Sequence, residues 1–134
     1  MEEQVFPKGI LPVLPVSDID ATADYYQETL QFQENFRQQT PEGTAINAQV
    51  ALEGSTLMLN LNPDKASLEG GGVYFWIRLY DLNIDDYYQT LKKAGVQIVE
   101  PIQDQFWGDR SFTIKDCNNY FLAFNQKLGS NPSS

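Results

Sequence analysis

Apolar and polar positions alternate along this chain in short runs, and two stretches replace that alternation with the three-to-four spacing of a buried helical stripe. The first run, residues 10–16, reads as a strand, although Pro12 and Pro15 confine it to an edge or to positions that need no amide donor. Ile19, Ala23, Tyr26 and Leu30 then form a helical stripe, with Ser17 or Asp18 available as its N-cap. Residues 32–38, 44–52 and 56–61 return to strand patterning, separated by the turn chemistry of Pro41-Glu42-Gly43 and Glu53-Gly54-Ser55. After Gly70-Gly71-Gly72, residues 73–79 are dense in β-branched and aromatic side chains. A helix is predicted over 82–94, where Gly95 occupies the place of a left-handed C-terminal cap. Strands over 96–102, 110–115 and 120–124 complete the pattern, with a last turn at 116–119 in which Asn tolerates positive φ. The small, polar tail from residue 129 onward is expected to fray.

The two halves repeat one another. Asp24-Tyr25-Tyr26-Gln27, followed by Leu30, recurs as Asp86-Tyr87-Tyr88-Gln89, followed by Leu91, and each copy comes shortly after a strand-like run ending in Asp18 or Asp81. Two copies of one supersecondary unit are implied. The predicted fold is α+β: a single domain over residues 1–134, built from β-α-β-β-β modules at residues 9–62 and 73–126. Each module alone would leave one sheet face bare, so the two sheets are expected to form a curved surface around a shared cleft.

Composition narrows the function classes. The 134 residues suffice for one compact core, and 42% apolar with 20% charged residues argues against wholesale disorder. A formal charge of −9 repels phosphate backbones, so no nucleic-acid partner is expected, and the plainest role of the excess acid is solubility. No apolar run approaches the length of a membrane helix, and Met-Glu-Glu-Gln lacks the basic-then-apolar order of a secretion signal. A cytoplasmic protein with no membrane partner is expected. The lone Cys117 excludes an intramolecular disulfide and a multi-thiolate metal site, and is read as an incidental turn residue.

Three stretches carry a resemblance to a known family. They are Pro12-Val13-Leu14-Pro15-Val16-Ser17-Asp18-Ile19 with the Tyr25-Tyr26 helix and Leu30-Gln31-Phe32, then residues 73–81, then Phe106-Trp107-Gly108-Asp109-Arg110-Ser111-Phe112-Thr113-Ile114-Lys115-Asp116. Together they resemble the glyoxalase, bleomycin-resistance and extradiol-dioxygenase (vicinal oxygen chelate) superfamily, and the third is similar to its metal-free, bleomycin-resistance-like branch. The chain departs from the family at Gln31, where a glycine is usual, and at Asp116-Cys117-Asn118-Asn119 in place of Asp-Pro-x-Gly. The resemblance also implies a symmetric homodimer, in which Val5-Phe6-Pro7 forms an arm able to reach a partner.

Metal-using members of such a family hold a divalent ion on His, Gln and Glu side chains at fixed strand positions, which fall here on Leu11, on Met58 or Asn60, on Tyr74 and on Ala123. The chain has no histidine, and no acidic cluster resembles an EF-hand loop. No metal or other cofactor is expected, and metal-dependent isomerisation and ring cleavage are disfavoured. Serine-hydrolase logic lacks a base, and the triple glycine lacks the lysine and helix of a phosphate loop, so no catalytic residue is assigned.

An aromatic pocket remains. Alternation places Tyr74, Trp76 and Arg78 on one face of their strand and Phe121, Ala123 and Asn125 on one face of the last, so Tyr74, Trp76, Phe121 and Asn125 are candidate cleft residues. In the antibiotic-binding branch, aromatic rings sandwich the flat part of a cationic drug, and the matching positions are Phe36, Tyr74 and Trp107. Trp107 stands out because Asp104, Gly108 and Asp109 surround it with loop chemistry, whereas Phe112, Phe124, Tyr26 and Tyr88 read as core. Arg110 is a candidate for orienting an acidic ligand group, weighed against pairing with a neighbouring carboxylate. The function expected first is binding and sequestration of a small planar aromatic compound, cationic ones included, as in antibiotic resistance. The alternatives are a glyoxalase- or dioxygenase-like lyase or isomerase without the usual metal site, and a ligandless dimeric scaffold.

Overall fold

The computed structural model describes residues 9–62 and 74–129, so the arm at residues 5–7, the glycine linker at 70–72 and the tail beyond 129 lie outside the described residues. The chain divides between Glu69 and Gly70 into two compact units. The first unit runs β1 (Val13–Val16), α1 (Ile19–Asp24), a π-helical turn (Tyr25–Thr29), β2 (Gln33–Gln39), β3 (Ala45–Leu52) and β4 (Ser55–Leu61). The second runs β5 (Tyr74–Arg78), α2 (Ile84–Lys93), β6 (Gln97–Asp104), β7 (Asp109–Lys115) and β8 (Phe121–Lys127). Each is the β-α-β-β-β module that the repeat predicts. Among the described residues no helix is long and apolar enough to cross a membrane.

The sheets share one topology, β1-β4-β3-β2 and β5-β8-β7-β6, with the first and last strands of each module parallel and the other neighbours antiparallel. β1 lies at a sheet edge, where its proline is tolerated, and it starts at Val13, three residues later than the hydrophobic run suggests. Asp18, of the two candidate caps, accepts the Ala21 amide at 3.0 Å, and Asn83 does the same for Asp86 at 2.9 Å. The helical stripe of the first module is buried as expected at Ile19, Ala23, Tyr26 and Leu30. In the second, Phe112 packs against Tyr88 at 5.0 Å and Phe124 at 5.3 Å, and Tyr87 meets Phe124 edge-on at 5.0 Å. Phe112, Phe124 and Tyr88 are core, as the sequence reads them, and Tyr87 joins them.

The first helix does not continue as an α-helix to Leu30. It widens, so that the Leu30 amide donates to the Tyr25 carbonyl at 3.1 Å and the Phe32 amide to the Tyr26 carbonyl at 2.8 Å. The chain then reverses through Gln31, which sits at φ +64°, the left-handed region that a side chain disfavours. Gly95 makes the matching reversal after α2 at φ +83° without that cost. Gln31 is exposed, so Gln31→Gly relieves strain while removing few contacts. The flexibility gained by the unfolded chain offsets part of the benefit, leaving an expected gain of about 0.5 kcal/mol. A higher urea midpoint at unchanged slope is the readout, and a lower midpoint would refute the strain.

The modules also match residue by residue across their sheets. One cross-strand row in the first reads Val13, Met58, Gln49, Phe36, and its counterpart in the second reads Trp76, Ala123, Thr113, Glu100. A bulge falls at the same place in both, between Glu34 and Phe36 in β2 and between Ile98 and Glu100 in β6. An extra residue there shifts the side-chain parity of the outer strand, so that Glu100 is the partner of Thr113.

Candidate functional site

The second module carries a solvent-open hollow of about 240 Å³ on the sheet face opposite α2's core. Its aromatic wall comes from Tyr74 and Trp76 on β5 and from Trp107 in the β6–β7 turn, and Ala123 and Thr113 are small residues that leave room between the strands. Trp76 and Trp107 are 55% and 49% exposed, with ring centroids 6.1 Å apart and planes inclined at 45°. Two large indole surfaces are therefore displayed to solvent beside one concavity, although burying them would be favourable.

Trp107 is held on a closed turn. The Gln105 amide donates to the Asp109 carbonyl at 2.7 Å and the Gly108 amide to the Gln105 carbonyl at 3.1 Å, with Gly108 at φ +97°. The indole N–H donates to Asp109 Oδ2 at 3.1 Å, and Arg78 Nη1 meets the same oxygen at 2.8 Å. Arg78 in turn donates to Asn125 Oδ1 at 3.0 Å. The ring is thus oriented from β8 through three polar side chains, an arrangement that fixes a stacking surface before any ligand arrives.

Tyr74 is also supported from behind: it stacks on Phe121 at 4.8 Å and 14°, as their register pairing allows. Lys115 Nζ lies 5.4 Å from the Phe121 ring centroid. On the polar side, Gln105 Nε2 donates to Ser111 Oγ at 2.9 Å, and Thr113 Oγ1 donates to Glu100 Oε1 at 3.2 Å.

The structure brings three of the seven sequence candidates, Tyr74, Trp76 and Trp107, to the lining of this hollow. Phe121 stands beside it as the support of Tyr74. Asn125 shares the predicted face but is fully buried, with its carbonyl engaged by Arg78. Arg110 alternates to the helix side of β7, where it bonds Asp85 at 2.9 Å and Asp104 at 2.8 Å; these hydrogen bonds, that to Asp85 foremost, hold the guanidinium above its ordinary pKa. Pairing with carboxylates, the second of its two predicted roles, is what the geometry shows. Phe36 is buried on β2 of the first module. The sequence reading missed Glu100, Gln105, Ser111 and Thr113. The alternating polar positions Asp109, Ser111 and Thr113 were a signal for the last two.

The register makes Met58, and not Asn60, the counterpart of Ala123. Leu11, Met58, Tyr74 and Ala123 offer no imidazole or carboxylate, and among the described residues no three His, Cys, Asp or Glu side chains converge where they could hold a metal ion. None of the four positions supplies a side chain suited to holding a divalent ion.

Two β-α-β-β-β units in matched register, one bearing an aromatic hollow, define a glyoxalase-like α+β protein. The chain belongs to the Glyoxalase/Bleomycin resistance protein/Dioxygenase superfamily, whose sequence profile matches residues 10–124. It is similar to an uncharacterised protein of Mycobacterium bovis, 31% identical over 129 residues that cover 90% of this chain and 84% of the relative. Among solved structures it resembles TioX from Micromonospora sp. ML1, with a TM-score of 0.72 and 25% identity over 89% of this chain and 98% of that one. It shares its fold with the bleomycin-binding protein of bleomycin-producing Streptomyces verticillus, solved with copper(II)-bleomycin, at a TM-score of 0.65 and 21% identity over 90% and 97% of the two chains.

Proposed function

We propose that this protein binds and sequesters a small planar aromatic compound, cationic ones included, by stacking it on the indoles of the second module. The observation that carries the reading is the pair of half-exposed tryptophans lining one hollow with planes inclined at 45°, of which Trp107 is held by Asp109 and, through it, Arg78. Stacking on such a ring contributes about 0.5–1.5 kcal/mol beyond area burial. A hollow of about 240 Å³ is just below the usual size of ligand pockets, and suits one flat ring system better than a whole large natural product. The fold shared with a bleomycin-binding protein supports this reading.

A lyase or isomerase is the weaker alternative. Proton transfer in such reactions calls for a positioned acid and base, and the hollow's lining presents one carboxylate, no histidine and no lysine. Titration with 9-aminoacridine, a flat cationic dye, tests the proposal. Both tryptophans of the chain, Trp76 and Trp107, border the hollow, so binding should quench most of the tryptophan emission and raise the melting temperature by mass action. Unchanged emission and melting temperature across a panel of planar dyes would refute it.

A further inference from the structure

We infer that Glu100 makes this hollow selective for positive charge: its occupant is a flat aromatic ring bearing a protonated amine or amidinium, with the ring on the indoles and the charge toward Glu100. The inference rests on the stacking function proposed above and adds what that function leaves open, the charge of the ligand and the residue that reads it.

Glu100 reaches the hollow through the β6 bulge. Without that extra residue, strict alternation would put Glu100 on the same face as Ile98, whose partner is Ile114; with it, Glu100 pairs with Thr113 and joins the row that runs through Ala123 to Trp76. The carboxylate thereby joins the lining of the hollow, across the sheet from the aromatic residues of β5. Bulges beside binding sites commonly re-aim a side chain in this way.

The electrostatics point one way. Glu100 accepts one hydrogen bond from Thr113, and among the described residues no lysine or arginine forms an ion pair with it. The nearby cations are engaged elsewhere: Arg78 with Asp109, Arg110 with Asp85 and Asp104, Lys115 over Phe121. No lysine or arginine lines the hollow. An anionic guest would meet a carboxylate and the electron-rich faces of Tyr74, Trp76 and Trp107, with no lysine or arginine in the lining to offset them. A cationic guest gains from both the carboxylate and the rings. The free oxygen of Glu100 can accept one N–H while Thr113 keeps the other in place, which fits an amine or amidinium better than a quaternary ammonium with no proton to donate.

The test compares two tricyclic probes of the same outline, cationic 9-aminoacridine and neutral acridone, by tryptophan quenching with wild type, Glu100→Gln, Glu100→Asp and Glu42→Gln. Glu42→Gln removes the same charge in the β2–β3 turn, at a residue that does not line the hollow. Wild type should bind 9-aminoacridine about tenfold more tightly than acridone, a preference that added salt reduces. Glu100→Gln, which preserves size and the Thr113 hydrogen bond, should bring the two probes to within about twofold, while Glu100→Asp and Glu42→Gln keep most of the preference. If the preference survives in Glu100→Gln, it comes from the net charge of the protein and the inference fails. Equal binding of the two probes by wild type overturns it too, leaving the stacking function intact. Should neither probe bind, the stacking function falls and this inference with it.

Discussion

Replacing Trp107 by alanine should weaken 9-aminoacridine binding roughly thirtyfold while shifting the melting temperature by only a few degrees. The first number follows from losing a stacked ring at the centre of a site, which costs about 2 kcal/mol. The second follows from burial. A core tryptophan truncated to alanine costs about 3–5 kcal/mol of stability, but Trp107 is half exposed, and its ring neighbours are Trp76 and Phe106, which are themselves exposed. The remaining Trp76 still reports binding by fluorescence, so affinity is measurable in the variant. Trp107→Phe separates the two contributions of the indole, because it keeps an aromatic face and loses the N–H that Asp109 orients. An intermediate loss is expected for it. Early melting of the alanine variant would make Trp107 a core residue, and unchanged affinity would place the ligand elsewhere.

The aromatic wall was legible because the strands that carry it are regular. β5 and β8 pair without a shift from Tyr74–Phe121 to Arg78–Asn125, so period-two alternation sorts their faces correctly. Glu100 was hidden for the opposite reason. An unpaired residue in β6 reverses the parity, and nothing local in the sequence announces it. Asn125 and Arg110 show a second limit of the pattern. Both were placed on strands at the right positions, but what each does is decided by a partner far along the chain: Arg78, 47 residues from Asn125, and Asp85, 25 residues from Arg110.

The fold was legible in its repeat and its punctuation. Two Asp-Tyr-Tyr-Gln helices and the turn residues between runs suffice to specify two β-α-β-β-β modules. Element ends were less so. The π-turn after Asp24 and the left-handed Gln31 arise where the helix must hand the chain to β2 with one buried tyrosine, Tyr26, already committed to the core. In the second module a glycine announces the same reversal, whereas in the first a glutamine conceals it.

Gln126 is the residue whose importance the sequence hides most, and Gln126→Leu should cost about 3 kcal/mol, a drop of roughly 10 °C in melting temperature. It lies on β8 between Asn125 and Lys127, beyond the run 120–124 that reads as the last strand, yet it is almost fully buried. Its side-chain carbonyl accepts the Ile84 amide at 3.0 Å, one of the N–H groups that the first turn of α2 cannot satisfy internally. Its amide nitrogen donates to the Tyr80 carbonyl at 3.2 Å and the Leu82 carbonyl at 2.9 Å. One side chain therefore ties the β5–α2 connection to the last strand with three hydrogen bonds, each contributing about 1 kcal/mol. Gln126→Glu distinguishes this from simple packing, since it has the same shape and still accepts from Ile84, but turns an acceptor toward two carbonyl oxygens. At neutral pH it should be at least as destabilising as leucine, because a buried carboxylate there lacks a donor on that side. Thermal unfolding followed by circular dichroism reads both variants. A glutamate variant as stable as the parent would show that the amide's two donated bonds contribute little, and that β8 holds the connection by packing alone.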